Sequence, residues 1–396
     1  MNGFTRKFHP YAPALVCVPS LLFMPLLLSL YAMAQAPAEI TSREFAVEVE
    51  RVLPEEESYA YHRRLSEGPI HTATRDAEAQ PLSGELALPE QGWTLIWSPA
   101  GSVVLDSAVQ DFQDYLKVSM GVTVTVEERD SLADWSELGR CVVVGTRDQL
   151  PGCGTALKGP KDYELLAGPE RLVVCGYDDR GAMFGLYNLE ARMNLRGGPF
   201  LPKDLQTVRH SLYDTRMVHS WMGWMQWPDN LFANLAHDGF DGIFASCYAN
   251  PNGDATAADT ATEFYGRMLF LTRRQDPARL RDVIDRAARY GLKVYAPVIY
   301  RYMGTPESEE GLRLLMRDIL KNFPDIRGYI LLTEGFWYKQ WGGYHGASRE
   351  IVEDWARNWS RAVAVVAEEC HAVNPAIEVL PWEYNIDFRP QNADMK

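Results

Sequence analysis

The chain has 396 residues, 46% of them hydrophobic and 23% charged, which is enough apolar material for one large domain or two moderate ones and excludes a disordered chain. Its formal net charge of -14 comes with no clustered Lys or Arg face, so bulk electrostatics exclude nucleic acid and anionic membrane surfaces as expected partners. An anionic ligand would have to be held by local arginines.

At the N-terminus, Arg6 and Lys7 precede an apolar run containing LLFMPLLLSLYAMA that ends on Ala32, Met33 and Ala34. This reads as a secretory signal over residues 1–34, cleaved before Gln35, and predicts a secreted or periplasmic protein. Pro19 and Pro25 interrupt the run, which is short for a bilayer span, so no stable membrane insertion is expected after cleavage. Cys17 leaves with the signal. Cys141, Cys153, Cys175, Cys247 and Cys370 remain, odd in number and without zinc-ligand spacing. They are expected as small buried apolar residues, with a strand-to-strand disulfide such as Cys141 to Cys175 permitted by an oxidising compartment.

Residues 35–90 form a partly irregular extension, and residues 91–205 read as a small α+β domain. GWTLIWSP is a strand pattern, and Val109, Phe112, Leu116 and Met120 recur at helical spacing. VTVTVEE and CVVVGT read as further strands, and DYELLAG with RLVVCGY as a hairpin. The helix DDRGAMFGLYNLEARM follows, opened by Asp178 or Asp179 as acceptors for free backbone N–H groups.

From residue 213 the pattern changes to strict alternation of apolar strands and amphipathic helices. The predicted strands are TRMVHSW (215–221), DGIFASCY (241–248), LKVYAPVIYR (292–301), GYILLTE (328–334) and IEVLPWEY (377–384). DPARLRDVIDRAARYG is a helix between Asp276 and Gly291. Repeated βα units predict a parallel sheet with right-handed crossovers, either doubly wound or a (β/α)8 barrel. No Gly-rich phosphate loop follows the first strand, which weighs against a nucleotide-binding sheet. Polar and aromatic residues gather instead at the C-terminal strand ends: His219 and Trp221, Tyr248, Tyr300 and Arg301, Glu334, and Glu383 and Tyr384. The expected fold class is therefore α/β, a (β/α)8 TIM-type barrel over residues 213–396 preceded by a small α+β sandwich. Such a barrel closes with about eight strands, so five read as a shortened barrel lacking roughly three βα units. Its open edges would attract a partner, a second copy of the chain included.

The run GYILLTEGFW ends on Glu334, walled by Phe336 and Trp337. Desolvation there would raise the carboxyl pKa toward that of a general acid, and glycoside cleavage needs such an acid plus a second carboxylate. The competing reading is a structural ion pair with an arginine such as Arg301. The aromatic segments WMGWMQW (221–227) and GFWYKQWGGYHG (335–346) suit sugar stacking, or else a hydrophobic lid in which Met222 and Met225 are filler. His237, His345 and His371 are scattered, so no metal and no cofactor is expected.

RMVHSW resembles the Arg-x-x-Asn-His-Trp stretch that opens the barrel of bacterial α-glucuronidases, glycoside hydrolase family 67. TEG resembles the Ser-Glu-Gly that carries that family's catalytic acid. The stretch DYELLAGPERLVVCGYDDRGAMFGLYNLEARM is similar to the region ending in an Arg-Gly-x-x-Tyr-Gly helix in the non-catalytic domain shared with family 20 β-N-acetylhexosaminidases. The similarity covers most of the mature chain, and the helix motif is its most specific part. It implies Glu334 as catalytic acid and Arg216, His219 and Trp221 as the lining of a sugar subsite; Tyr300, Arg301, Trp337 and Trp382 are expected as further contacts from their own places at strand ends and in the aromatic segments. This chain departs by having His219 and Ser220 where α-glucuronidases have Asn and His, and Thr333 where hexosaminidases have the Asp that steers the acetamido group. The α-glucuronidase base comes from later strands, which leaves Glu383 as the best second carboxylate, with Asp387 following. Trp382, Glu383 and Tyr384 equally suit a structural cluster at the mouth. A carboxylate separation of about 6.5–9.5 Å would predict inversion, and about 5 Å retention. The expected function is an exported glycoside hydrolase acting on poly- or oligosaccharides. The alternatives are a β-N-acetylhexosaminidase-like hydrolase, a non-catalytic glycan-binding protein, or an inactive shortened barrel.

Overall fold

The computed structural model describes residues 57, 60, 63, 67–99, 102–220, 227–245, 277–298, 300, 302–332 and 348–382. The expected signal segment, Cys17, Cys247 and Asp276 lie outside the described residues. The chain divides into two compact units, Met1–Ala60 and Tyr61–Lys396, and all the elements below belong to the second. Among the described residues no helix is long and apolar enough to cross a membrane.

The first layer contains β1 (Glu85–Ala87), β2 (Trp93–Trp97), α1 (Val103–Met120), β3 (Val124–Glu128), β4 (Cys141–Thr146), β5 (Tyr163–Gly168), β6 (Arg171–Gly176), α2 (Asp179–Arg196), β7 (Phe200–Pro202) and β8 (Gln206–Arg209). Six strands form one sheet in the order β3-β2-β4-β6-β5-β8. β3, β2, β4 and β6 run parallel, while β5 is antiparallel to both β6 and β8, so the predicted hairpin is present. Residue alternation divides its apolar groups between two faces. Leu95, Val142, Val144, Leu165 and Val174 pack under α1 and α2, and Ile96, Cys141, Val143, Val173 and Cys175 form a second core on the other side.

Local chemistry explains how α1 and α2 start and stop. Ser102 Oγ accepts from the Leu105 N–H at the start of α1, and Asp178 Oδ1 accepts from the Gly181 N–H at the start of α2. Gly121 (φ 67°) and Gly197 (φ 63°) end these helices in the left-handed conformation, where a Cβ would be strained. The spacing of Gly181 and Gly185 has a steric cause: they lie one turn apart, on the face of α2 that meets the sheet. A Cβ at Gly181 would lie 2.3 Å from the Asp162 carbonyl oxygen, and one at Gly185 would lie 2.5 Å from Val174. Cys141, Cys153, Cys175 and Cys370 are buried free thiols. The permitted Cys141 to Cys175 disulfide does not form, because Cys141 is opposite Arg171 while Cys175 is opposite Gly145. Four residues of strand separate them by about 13 Å, beyond the reach of an S–S bond.

The second layer alternates β9 (Met217–Ser220), α3 (Asp229–His237), β10 (Gly242–Ala245), α4 (Pro277–Arg289), β11 (Lys293–Val298), α5 (Pro306–Asn322), β12 (Gly328–Leu332), α6 (Arg349–Val373) and β13 (Glu378–Trp382). All five strands are parallel, in the order β13-β12-β11-β10-β9. The fold is thus the expected α/β type, a curled five-stranded half-barrel of TIM type preceded by a sandwich layer. Its outer face, with Ile243, Ala245, Val294, Ala296, Val298, Tyr329 and Leu331, packs against α4, α5 and α6. The opposite parity turns Met217, Phe244, Tyr295, Ile330 and Trp382 into the barrel interior. The Tyr295 ring fits there because its strand neighbours include glycines. A Cβ at Gly242 would come within 3.4 Å of the ring, and one at Gly328 within 3.0 Å.

A buried ionic clasp joins the two layers. Lys161, at φ 70°, donates from Nζ to Asp241 Oδ2 at 2.7 Å and to the carbonyls of Tyr213 (2.7 Å) and Asp214 (2.8 Å). Asp241 Oδ1 accepts from the Arg216 N–H at 2.6 Å. Next to it, Asp162 accepts from the N–H groups of Lys158, Gly159 and Ser211 and pairs with His210 Nδ1 at 2.7 Å. The linker from β8 into β9 is therefore held on both sides, which sets where the first barrel strand starts.

Candidate active site at the strand tips of the half-barrel

Alternation decides which side chains reach the interior. On β9, Met217 faces inward with Phe244 and Tyr295, while Val218 packs with the outer core. His219 shares the parity of Met217 and is in register with Phe244, and their rings stack at 4.6 Å and 25°. The same His219 ring meets Trp382 edge-on, at 4.9 Å and 80°. Because β9 and β13 are the two edges of the sheet, this contact shows how far the sheet curls. Its first and last strands bring their tips together over the interior. His219, Phe244 and Trp382 therefore meet at the strand tips with Tyr295 deeper inside; Phe244 and Tyr295 are fully buried, and His219 and Trp382 are the members of the group with accessible surface. His219 keeps an exposed surface, and burial of the rest of its ring lowers its pKa, which favours the neutral imidazole near pH 7. A neutral imidazole can both donate to and accept from a hydroxyl.

A polar network forms the floor. The Tyr295 hydroxyl donates to Glu378 Oε2 at 2.7 Å and lies 3.3 Å from Thr215 Oγ1. Burial, then the hydrogen bond to Glu378, pushes the phenol up to about 12, so it stays protonated. Glu378 also pairs with Arg327. Glu378 stands in no motif of the sequence. It is the carboxylate that the described part of β13 contributes to the interior, but its partners at the N-terminal end of the sheet give it a structural role.

The other expected sugar contacts separate by position. Trp382 lies at the rim with His219. Arg216 does not: it precedes β9 and is three residues from His219, an odd spacing that turns it to the opposite face. Its guanidinium packs over Gly239 and lines a cavity of about 290 Å³ with Lys161, Tyr163, Tyr187 and Arg209. Tyr300 also faces away, packing with the outer core and directing its hydroxyl at Gly311, where a Cβ would lie only 2.2 Å away. Trp221, Tyr248, Arg301, Glu334, Trp337, Glu383, Tyr384 and Asp387 lie outside the described residues, as do the aromatic segments after the first and fourth strands apart from Trp227. Trp227 is buried against Phe232 at 5.9 Å, as part of the outer core.

Among the described residues one group could hold a metal ion, formed by His71, Asp111, Glu190 and His237. It lies between helices, away from the strand tips.

No protein-family model and no curated protein matches this sequence. Among solved structures, the chain is similar to a GH138 enzyme targeting pectin rhamnogalacturonan II, at 10% identity and a TM-score of 0.45, over 71% of this chain and 34% of that one. It is also similar to a family GH115 4-O-methyl-α-glucuronidase with specificity for decorated arabinogalactans, at 12% identity and a TM-score of 0.48, over 74% of this chain and 42% of that one. These structural neighbours are glycoside hydrolases, and the chain spans less than half the length of either.

Proposed function

We propose that this protein is an exported glycoside hydrolase whose sugar site lies at the strand tips of the half-barrel, with Glu334 as the general acid. The observation that carries this reading is the His219 to Trp382 contact, which brings the tips of the first and fifth strands together on the inner face. Aromatic faces suit the C–H surfaces of a pyranose, and a neutral imidazole suits its hydroxyls. In sequence, Glu334 follows β12 by two residues and Glu383 directly follows the last residue of β13. The resemblance of TEG to the family's acid motif favours Glu334 of the two.

The resemblance to α-glucuronidases supplies the substrate class, an oligosaccharide bearing an α-linked uronic acid. Arg216, on the opposite face, is removed from the groups proposed to meet that uronate. Sugar recognition from β9 rests on His219. Glu334→Gln tests the reading through turnover of glucuronosyl-substituted oligosaccharides. Loss of the proton donor should lower kcat by roughly 10²- to 10⁴-fold while leaving sugar affinity nearly intact. Unchanged turnover in that variant would remove Glu334 from the mechanism.

A further inference from the structure

His71, Asp111, Glu190 and His237 come from four separate pieces of chain: the segment before β1, the middle of α1, the second half of α2, and the last residue of α3. Each offers one ligand atom, and these atoms all lie within 4.8 Å of one another. His237 Nε2 is 2.9 Å from Asp111 Oδ2 and 3.3 Å from Glu190 Oε2, and His71 Nε2 is 3.0 Å from Asp111 Oδ1. Around a tetrahedral Zn²⁺ with bonds of about 2.0–2.1 Å, neighbouring ligand atoms are about 3.3 Å apart, so the group is already near coordination spacing.

Hydrogen bonding leaves part of this group unexplained. Asp111 Oδ2, Glu190 Oε1 and His237 Nε2 are buried and have no hydrogen-bond partner. The short His237 to Asp111 approach thus lacks the alignment of an N–H···O bond. His237 Nδ1 lies 2.8 Å from the Ala233 carbonyl oxygen, and the proton on that nitrogen is the one donated. With Nδ1 committed to that carbonyl, Nε2 is the nitrogen that faces the carboxylates, the position from which a histidine binds a metal. Packing fixes the rings: Tyr187 stacks on His237 at 3.9 Å, and His71 meets Tyr115 edge-on at 5.5 Å. The Tyr115 hydroxyl in turn donates to the Glu190 carbonyl oxygen at 2.9 Å.

We infer that these four side chains form a structural site for a divalent transition-metal ion, with zinc as the best match, stapling α1 and α2 to the first helix of the half-barrel. Two carboxylates and two neutral imidazoles balance the charge of one divalent ion, which a buried carboxylate such as Glu190 requires. Mixed nitrogen and oxygen donors suit zinc, whereas calcium and magnesium take all-oxygen shells. Four protein ligands leave no position for substrate, so the role is structural. No metal-ligand spacing is visible along the chain, because no two ligands share an element.

The test uses the full chain, stripped with a chelator and then titrated with Zn²⁺, Mg²⁺ or Co²⁺. We expect one equivalent of Zn²⁺ to bind and to raise Tm by about 5 °C when present at a hundredfold excess over Kd, with no effect of Mg²⁺. Co²⁺ should give the visible absorption of a four-coordinate ion. His71→Gln and Glu190→Gln should each abolish the Zn²⁺-dependent rise. Three results would overturn the site: no bound metal and no movement of Tm, absence of the Co²⁺ bands in the wild-type chain, or stoichiometric binding that survives both substitutions. The wild-type titrations decide the question even where a variant fails to fold. The rival they would establish is an imidazolium at His237 shared between the two carboxylates.

Discussion

The two sheets differ in what covers them. In the six-stranded sheet, β4 buries Val142 and Val144 on one side and Cys141 and Val143 on the other, so both faces are core. In the half-barrel, β11 buries Val294, Ala296 and Val298 against the helices; on the inner face Phe244, Tyr295 and Ile330 are buried as well, but at the edge strands Leu380 is 37% exposed and His219 keeps an accessible surface. Both sheets are built from the same apolar residue types. A sheet covered on both sides has only structural work to do, whereas one whose inner face stays accessible at its edge strands can present side chains there to a ligand. The proposed function lies at those edges, and the sandwich layer supplies the clasp that fixes where β9 begins.

Breaking the clasp should have the largest effect. Lys161→Met removes the closer of the two cations at Asp241, which is 1% exposed and keeps Arg180 at 3.4 Å, and should destabilise the fold by about 3 kcal/mol in denaturant titrations. Since Asp241 also fixes the backbone of Arg216 at the start of β9, any activity should fall with stability. The contrast between faces can be sharpened with two leucines. Leu331, outward and 3% exposed, should lose about 2–5 kcal/mol on replacement by Ala, whereas Leu380→Ala on the inner face should cost about 0.5 kcal/mol. Equal losses would mean that both faces are closed.

The smallest effect concerns the outer helices. Hydrogen bonds from Arg361, and then Arg313, outweigh burial and hold the Glu309 carboxyl down at about 2. A carboxyl depressed in the folded state contributes stability that is complete above its unfolded pKa of about 4.3 and is lost as pH falls toward 2. Tm of the wild-type chain should therefore decline over that interval more steeply than Tm of Glu309→Gln. Parallel profiles would show that the network between α5 and α6 contributes nothing.

Much of this architecture was legible in the sequence because period and punctuation agreed. All five barrel strands lie within their predicted runs, Asp178 caps α2, and Gly291 (φ 67°) follows α4. The site was less legible. Arg216 and His219 belong to one apolar run, and their odd spacing sets them on opposite faces, which a motif match read as one string does not register. Tyr300 lies two residues beyond β11, where strand alternation no longer fixes a face, and its contact at Gly311 shows that it turns outward. The His219 to Trp382 contact depends on sheet curvature, which no local pattern encodes. The cluster at His237 escaped for a similar reason, since its members span residues 71 to 237 and meet only through helix packing.

Calorimetric titration of glucuronosyl-substituted and neutral oligosaccharides into the wild-type chain, His219→Ala and Trp382→Ala tests the proposed sugar site most directly. The account predicts measurable binding to the wild-type chain and a loss of about tenfold in each variant, with Tm within a degree or so of wild type. Affinity that is unchanged in both variants, or no binding of any of these sugars by the wild-type chain, would contradict it.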